Sequence, residues 1–282
     1  MNKFYIQIVF FLLSISLYVN NKTLATETDP EENTITNPPK CYPTPEEIYI
    51  KNKHLLCTNT NETINAEKLM NEAATHLEHH AKSKDGYELC KWSRKFNITL
   101  SRKKNEDTIV QRIILKYYHI DKYNETINQL WDPDCINLLD NKSTKRKIVR
   151  VYNPNLVMIQ QRYKSSSVGR EKYFYALVAK VEISSYETII VMASANINDG
   201  YPSDDEYKNK IIENANLFKT QINSESDIRN GEIKKTFVNI AGYYIRKTYN
   251  FVNITYLESI DGHTSNYQKL INERALNKFF PS

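Results

Sequence analysis

The stretch KIVRVYNPNLVMIQQRYKSSSVGREKYFYALVAKVEISSYETIIVMASA, Lys147 to Ala195, decides the fold class. It is rich in Val, Ile, Tyr and Phe, the side chains that suit a pleated, half-buried surface. Breaks at Asn153-Pro154-Asn155, at Ser165-Ser166-Ser167-Val168-Gly169 and at Ser184-Ser185 cut it into four runs. These runs predict strands over Lys147–Tyr152, Leu156–Tyr163, Lys172–Ile183 and Thr188–Ala195. The connections between them are too short to hold crossover helices, so neighbouring strands must run antiparallel.

Outward from this run the periodicity changes. On the N-terminal side, Ala66, Leu69, Met70, Ala73, Leu77 and Ala81 recur at helical spacing, with Asn65 as the expected N-cap. Strands are expected at Trp92–Leu100 and Thr108–Tyr118, and a short helix at Lys122–Leu130. On the C-terminal side, Ser203-Asp204-Asp205-Glu206 reads as a capping box opening a helix with Tyr207, Ile211, Ala215 and Phe218 on one face. Strands at Thr236–Ile245 and Phe251–Ile260 follow. A closing amphipathic helix starts at Ser265, with Tyr267, Ile271, Ala275 and Phe279 in one stripe. Helices do not alternate with strands, which predicts an α+β fold built on an antiparallel sheet and excludes a doubly wound one. The closing helix either covers the inner face of that sheet or roofs a cavity.

The chain has 282 residues, 40% of them hydrophobic and 25% charged, with 38 Lys and Arg against 33 Asp and Glu. This is a globular composition of mild positive charge. Without a basic block it does not favour a nucleic-acid partner. Lys3 followed by the apolar run Phe4–Val19 and the small-residue site Thr23-Leu24-Ala25 reads as a secretory signal peptide over 1–25. The alternative is a signal anchor, but a 16-residue helix spans only about 24 Å, short of the ~30 Å hydrocarbon core. Residues 26–62 read as a polar linker ending in Pro38-Pro39, then a preamble bracketed by Cys41 and Cys57. Residues 63–282 read as the folded domain. An even count of four cysteines in a secreted chain favours disulfides, with Cys41–Cys57 the preferred pair.

Chemistry-bearing patterns are sparse. His76, His79 and His80 have metal-compatible helical spacing but fall mainly off the apolar stripe, so they read as a solvated helix face. Glu258 and Asp261 read as a turn more than as paired catalytic carboxylates. No zinc-protease, nucleophile-elbow or phosphate-loop motif occurs. Neither an enzyme, nor a metal site, nor a cofactor is expected. Lys142, Lys145, Arg146, Lys147 and Arg150 form a basic cluster, either a solvated loop or a contact for anionic lipid headgroups. The many tyrosines, among them Tyr173, Tyr175, Tyr243, Tyr244 and Tyr256, suit a core and equally a pocket for an amphipathic ligand.

Several strings resemble the fam-a proteins of rodent malaria parasites. They are Ala66–Ala73 (AEKLMNEA), Trp131–Asp134 (WDPD), Lys147–Tyr163, Tyr173–Leu177 (YFYAL), Ile190–Asp199 (IVMASANIND) and Glu258–Thr264 (ESIDGHT). The likeness runs from about residue 41 to 265. That family carries a START domain, the steroidogenic-acute-regulatory-related lipid-transfer module. The resemblance therefore implies a helix-grip fold, a curved antiparallel sheet around the C-terminal helix with one lipid between them. It further implies a secreted, monomeric carrier of a phospholipid, phosphatidylcholine first, that touches membranes transiently and is exported to the parasitophorous vacuole or the host red cell. The alternative is a secreted host-interaction or antigenic protein, meeting red-cell proteins on the same scaffold without transfer. Trp131-Asp132 is similar to the Trp-Asp signature of START domains, but the arginine that would pair with the Asp is replaced by Asn128. The positions matching an aromatic choline cage fall near Ile159 and Lys172, neither aromatic. The expected lipid-contacting set joins Trp131, Asp132, Arg162 and Tyr163 to the strand tyrosines Tyr175, Tyr243 and Tyr256 and to Ile271 and Phe279 of the closing helix, with some partner expected for Asp132.

Overall fold

The computed structural model describes residues 42–94, 97–105, 108–135, 144–164, 169–203 and 207–261. The signal-like segment, Cys41, the closing helix with Ile271 and Phe279, and the 165–168 turn lie outside the described residues.

The core is one curtain of strands: β1 (Glu88–Ser93), β2 (Ile98–Asn105), β3 (Thr108–Tyr117), β4 (Lys145–Asn153), β5 (Leu156–Lys164), β6 (Glu171–Ser184), β7 (Glu187–Ala193), β11 (Phe237–Lys247) and β12 (Val252–Asp261). They pair antiparallel in the order β1-β2-β3-β12-β11-β7-β6-β5-β4, and the short β10 (Lys234–Lys235) adds parallel to β6. The four strands expected from Lys147–Ala195 are all present. The expected strand at Trp92–Leu100 is instead two strands, β1 and β2, because Asn97 turns the chain at φ 50°. Asn tolerates that left-handed conformation better than most side chains.

Alternation along the strands sorts side chains to two faces. On β6, Tyr173, Tyr175 and Leu177 belong to one buried cluster and Phe174, Ala176 and Val178 to the other. The first face is covered by α2 (Thr60–Lys82), whose Ala66, Leu69, Met70, Ala73 and Leu77 are buried against it. Each fully buried large side chain of this kind contributes roughly 1.5–3 kcal/mol. The helix begins a turn and a half earlier than expected. Asn59, not Asn65, is the N-cap, its Oδ1 accepting from the Glu62 amide at 3.2 Å. The second face receives α3 (Tyr123–Trp131), through Tyr123, Ile127, Leu130 and Trp131, and Ile48 of α1 (Pro45–Lys51).

Within the 41–62 preamble, Ile48 is 5% exposed and packs in the core. Two further expectations are corrected. The capping box expected at Ser203–Glu206 falls largely outside the described residues; over 207–220 the expected helix is reduced to α4 (Asn214–Leu217), followed by β9 (Lys219–Gln221), which pairs in parallel with β8 (Asn196–Asn198). The Asn209 side chain explains this. Its Oδ1 accepts from the amides of Ile211 and Ile212, both at 2.9 Å, and its Nδ2 donates to the Asn239 carbonyl at 2.8 Å. Side chain to backbone bonds of this kind offer the chain a turn in place of a helix. Tyr207 meanwhile stacks on Phe237, centroids 4.1 Å apart. Finally, His80 is not solvated. It is 7% exposed and shares a 3.0 Å hydrogen bond with the Tyr87 hydroxyl, and burial pushes its pKa down to about 4.

Candidate functional site

On the face opposite α2, a mostly apolar slot opens between α3 and the sheet. Leu130 and Trp131 of α3 and Ile48 of α1 face Ile148 of β4, Val157 and Ile159 of β5, Val178, Ile190, Met192 and Tyr243. The cavity volume of the slot is only about 20 Å³. It is a narrow crevice among the described residues, and an acyl chain enters it only if its walls separate.

Trp131 ends α3 and is 6% exposed. Its indole Nε1 is fully buried with no hydrogen-bond partner among the described residues. A buried donor left unpaired costs about 1–3 kcal/mol, so a ligand oxygen reaching it recovers that cost. Asp132 follows as the helix C-cap. Its amide donates to the Asn128 carbonyl at 2.9 Å and its Oδ1 accepts from the Asp134 amide at 2.9 Å. That amide is the main partner the carboxylate finds. Burial raises its pKa, the Asp134 amide opposes this, and Lys51 and Arg146 lower it more weakly.

The slot runs into a polar groove of about 280 Å³, and the two share Ile48, Pro133, Arg146 and Ile148. Glu47, Asp132 and Asp134 supply its negative charges, Lys51, Arg146 and Lys147 its positive ones. Arg146 is braced by Gln161, whose Oε1 accepts from Nε at 3.0 Å and Nη2 at 2.6 Å. Lys51 meets Asp134 at 3.3 Å. The result is an apolar crevice with one buried donor, opening on charges of both signs.

Of the residues predicted from sequence, Trp131 and Tyr243 line the slot and Asp132 lines the groove. Tyr163 and Tyr256 share the same buried face. The Tyr256 ring lies 4.9 Å from Tyr243, and its hydroxyl donates to buried Glu258 at 2.7 Å. The Tyr163 hydroxyl meets Thr236 at 3.1 Å, and burial lifts its pKa to about 12. Arg162 and Tyr175 are placed differently. Both point to the opposite face, where Arg162 pairs with Asp227 and Glu225, and the Tyr175 hydroxyl accepts from Gln160 at 2.6 Å. They do not border the slot. The Cys57 thiol lies 3.7 Å from the Asn59 carbonyl; the expected Cys41–Cys57 disulfide falls on Cys41, outside the described residues.

Sequence reasoning missed Ile48, Val157 and Met192 as wall residues. Strand alternation was the usable signal for the last two. For Ile48 it was the Thr44–Glu47 capping box, present in the structure with bonds of 2.7 and 3.2 Å, which opens the helix that carries it. Among the described residues no group of three or more His, Cys, Asp or Glu is arranged to hold a metal ion.

The curved antiparallel sheet, flanked by helices, has the fold of the START domains. Among solved structures the chain is similar to human STARD10, with 12% identity, a TM-score of 0.51 and coverage of 73% of this chain and 76% of that one. It is likewise similar to human StAR-related lipid transfer protein 5, with 12% identity, a TM-score of 0.50 and coverage of 78% and 94%. No family model and no curated protein matches the sequence. At this identity the likeness establishes the helix-grip fold.

Proposed function

We propose that this protein binds one phospholipid, phosphatidylcholine first, and carries it between membranes without covalent chemistry. One observation carries the reading: an apolar crevice holding the unpaired Trp131 indole N–H opens directly on a groove of mixed charge. An acyl chain suits the crevice and an ester or phosphate oxygen suits the indole donor. A zwitterionic headgroup suits a groove where Arg146 and Lys147 stand near Asp132 and Glu47. Each methylene moved from water contributes about 0.8 kcal/mol, enough for a long chain to separate the crevice walls. The START fold supports the same reading at the level of lipid binding. The fam-a-like strings and the signal-like N-terminus support secretion and export toward the host red cell, with a monomer as the working unit.

The narrowness of the crevice favours a second reading, a secreted protein that uses this scaffold to meet host red-cell proteins and carries no cargo. Native mass spectrometry of the purified protein, with transfer of labelled phosphatidylcholine between vesicles, separates the two. Co-purified lipid and protein-dependent transfer are expected. A protein that is folded, lipid-free and inactive in transfer overturns the carrier reading and leaves the scaffold reading.

A further inference from the structure

Trp92 of β1 is 62% exposed, an indole left in water at one end of the sheet order. It lies directly opposite Thr99 of β2, so the two side chains share one face of the ladder. Thr99 closes the sequon Asn97-Ile98-Thr99, the acceptor pattern for N-glycosylation. Asn97 is exposed in the turn that opens β2, at φ 50°, and its amide donates to the Arg94 carbonyl at 3.4 Å. Neither the Asn97 side chain nor the Thr99 hydroxyl has a hydrogen-bond partner among the described residues.

Three other sequons lie among the described residues, and each is tied into the fold. Thr63 of Asn61-Glu62-Thr63 stands near the start of α2, its hydroxyl donating to the Asn59 carbonyl at 3.2 Å. Thr126 of Asn124-Glu125-Thr126 is 3% exposed and donates to the Lys122 carbonyl at 2.8 Å. Thr255 of Asn253-Ile254-Thr255 is 1% exposed, in a strand paired on both sides. Of these four asparagines only Asn97 stands in a turn, the setting in which a sequon is presented at the surface.

We propose that Asn97 carries an N-linked glycan whose first sugar packs on Trp92. The transfer forms the bond from Asn97 Nδ2 to C1 of the sugar and breaks the bond from C1 to the pyrophosphate oxygen of a polyprenyl-linked donor. The Nδ2 proton is lost as the polyprenyl pyrophosphate leaves. Thr99 lies two residues along the chain, roughly 7 Å from Asn97, and Trp92 about 5 Å across the ladder from Thr99. A sugar on Nδ2 therefore reaches the indole, and its C–H face covers the apolar ring. The inference rests on the secretion reading, since the donor is met only along the secretory route.

The test is expression of the full chain in cultured insect cells, with peptide mapping of the secreted protein before and after enzymatic removal of N-glycans. A glycan at Asn97 is expected, its release converting that residue to aspartate. Thr99→Val removes the sequon, keeps the asparagine in its left-handed turn and should lose this glycan alone. It should melt about 3 °C below the parent, against a baseline from the same pair made sugar-free in bacteria. In a Trp92→Ser background the loss of the glycan should leave melting unmoved. Loss of the glycan should also shift tryptophan emission to the red, because of the two tryptophans only Trp92 is exposed; if Trp92→Ser does not fold, this emission decides. Secreted protein with Asn97 bare overturns the proposal and leaves the secretion reading standing. A chain retained in the cytosol overturns the secretion reading and this inference with it. A glycan whose loss costs the same with and without Trp92, or leaves the emission unmoved, overturns the packing on the indole.

Discussion

Arg162 of β5 and Asp227, 65 residues apart in sequence, are joined by two parallel hydrogen bonds of 2.6 and 3.0 Å. A second carboxylate, Glu225, approaches the same guanidinium at 3.3 Å. The pair pins α5 (Ser226–Arg229) to the sheet on the face away from the slot. Fork-to-fork geometry makes such a pair stronger than an exposed contact. Arg162→Met is therefore expected to lower stability by about 2 kcal/mol, between the values for exposed and buried pairs, and to leave lipid retention unchanged. Urea midpoints and native mass spectrometry read the two quantities separately. Loss of lipid at unchanged stability would return Arg162 to the binding site.

Acid should weaken the fold in two stages with one sign. His80 has its pKa lowered from the ordinary 6.5 to about 4, by burial first and then by Lys103, the neighbouring histidines and Arg112. Between those values the unfolded chain holds the extra proton, so the stabilisation is whole above pH 6.5 and is lost as pH falls toward 4. Glu225 is depressed to about 2, through bonds from Lys147 and Gln160 that outweigh burial, and Asp227 is lowered chiefly by its bond from Arg162. Their contribution is present above the ordinary carboxylate range and is lost as pH falls toward 2. Denaturation midpoints between pH 7 and pH 4 should decline in the parent and flatten in His80→Gln; an unchanged slope in the variant would remove His80 from this role.

Gly242 has no tolerance for a side chain. It lies opposite Val191 in β7 with φ +143°, and a β-carbon placed on it would stand 2.1 Å from the Ile190 carbonyl oxygen. The contact is with backbone in mid-sheet, which cannot shift without breaking the β11–β7 ladder. Gly242→Ala should cost about 3 kcal/mol, measured by equilibrium unfolding. A cost within ~0.5 kcal/mol, ordinary for neutral surface changes, would contradict the close approach.

Trp131→Phe keeps an aromatic ring in the slot and removes the unpaired donor. The lipid-free protein should gain about 1 kcal/mol, since a buried unsatisfied N–H is taken away. Lipid retention should fall, because the ligand oxygen loses its partner. Thermal scans with and without lipid give both signs, and an equal change in the two states would place the indole outside the binding event.

The run from Lys147 to Ala195 could be read as four antiparallel strands because β-branched and aromatic density, cut by Asn-Pro-Asn and serine turns, reflects purely local preferences. The stripe from Ala66 to Leu77 was legible for the same reason. The helix expected through 207–220 was misread because Asn209 binds the amides of Ile211 and Ile212 and the carbonyl of Asn239, 30 residues distant. His80 was misassigned because Tyr87 and Arg112 reach it from outside its own helix. Trp131, singled out by its Trp-Asp neighbourhood, lines the slot, while Arg162 and Tyr175 lie on the other face of the sheet, a placement that register decides and residue type does not.

The sequence by itself determined the α+β class, the antiparallel pairing, the amphipathic stripe of α2 and the aromatic wealth of the strands, since each follows from spacing and short-range propensity. Tertiary structure alone decided which face each strand residue meets, that Ile48 closes one wall of the crevice, and that Arg150 and Lys147 of the basic cluster pair with Glu62 and Glu225. Those outcomes depend on register and on contacts between distant segments, and a one-residue change of register sends every side chain of a strand to its other face.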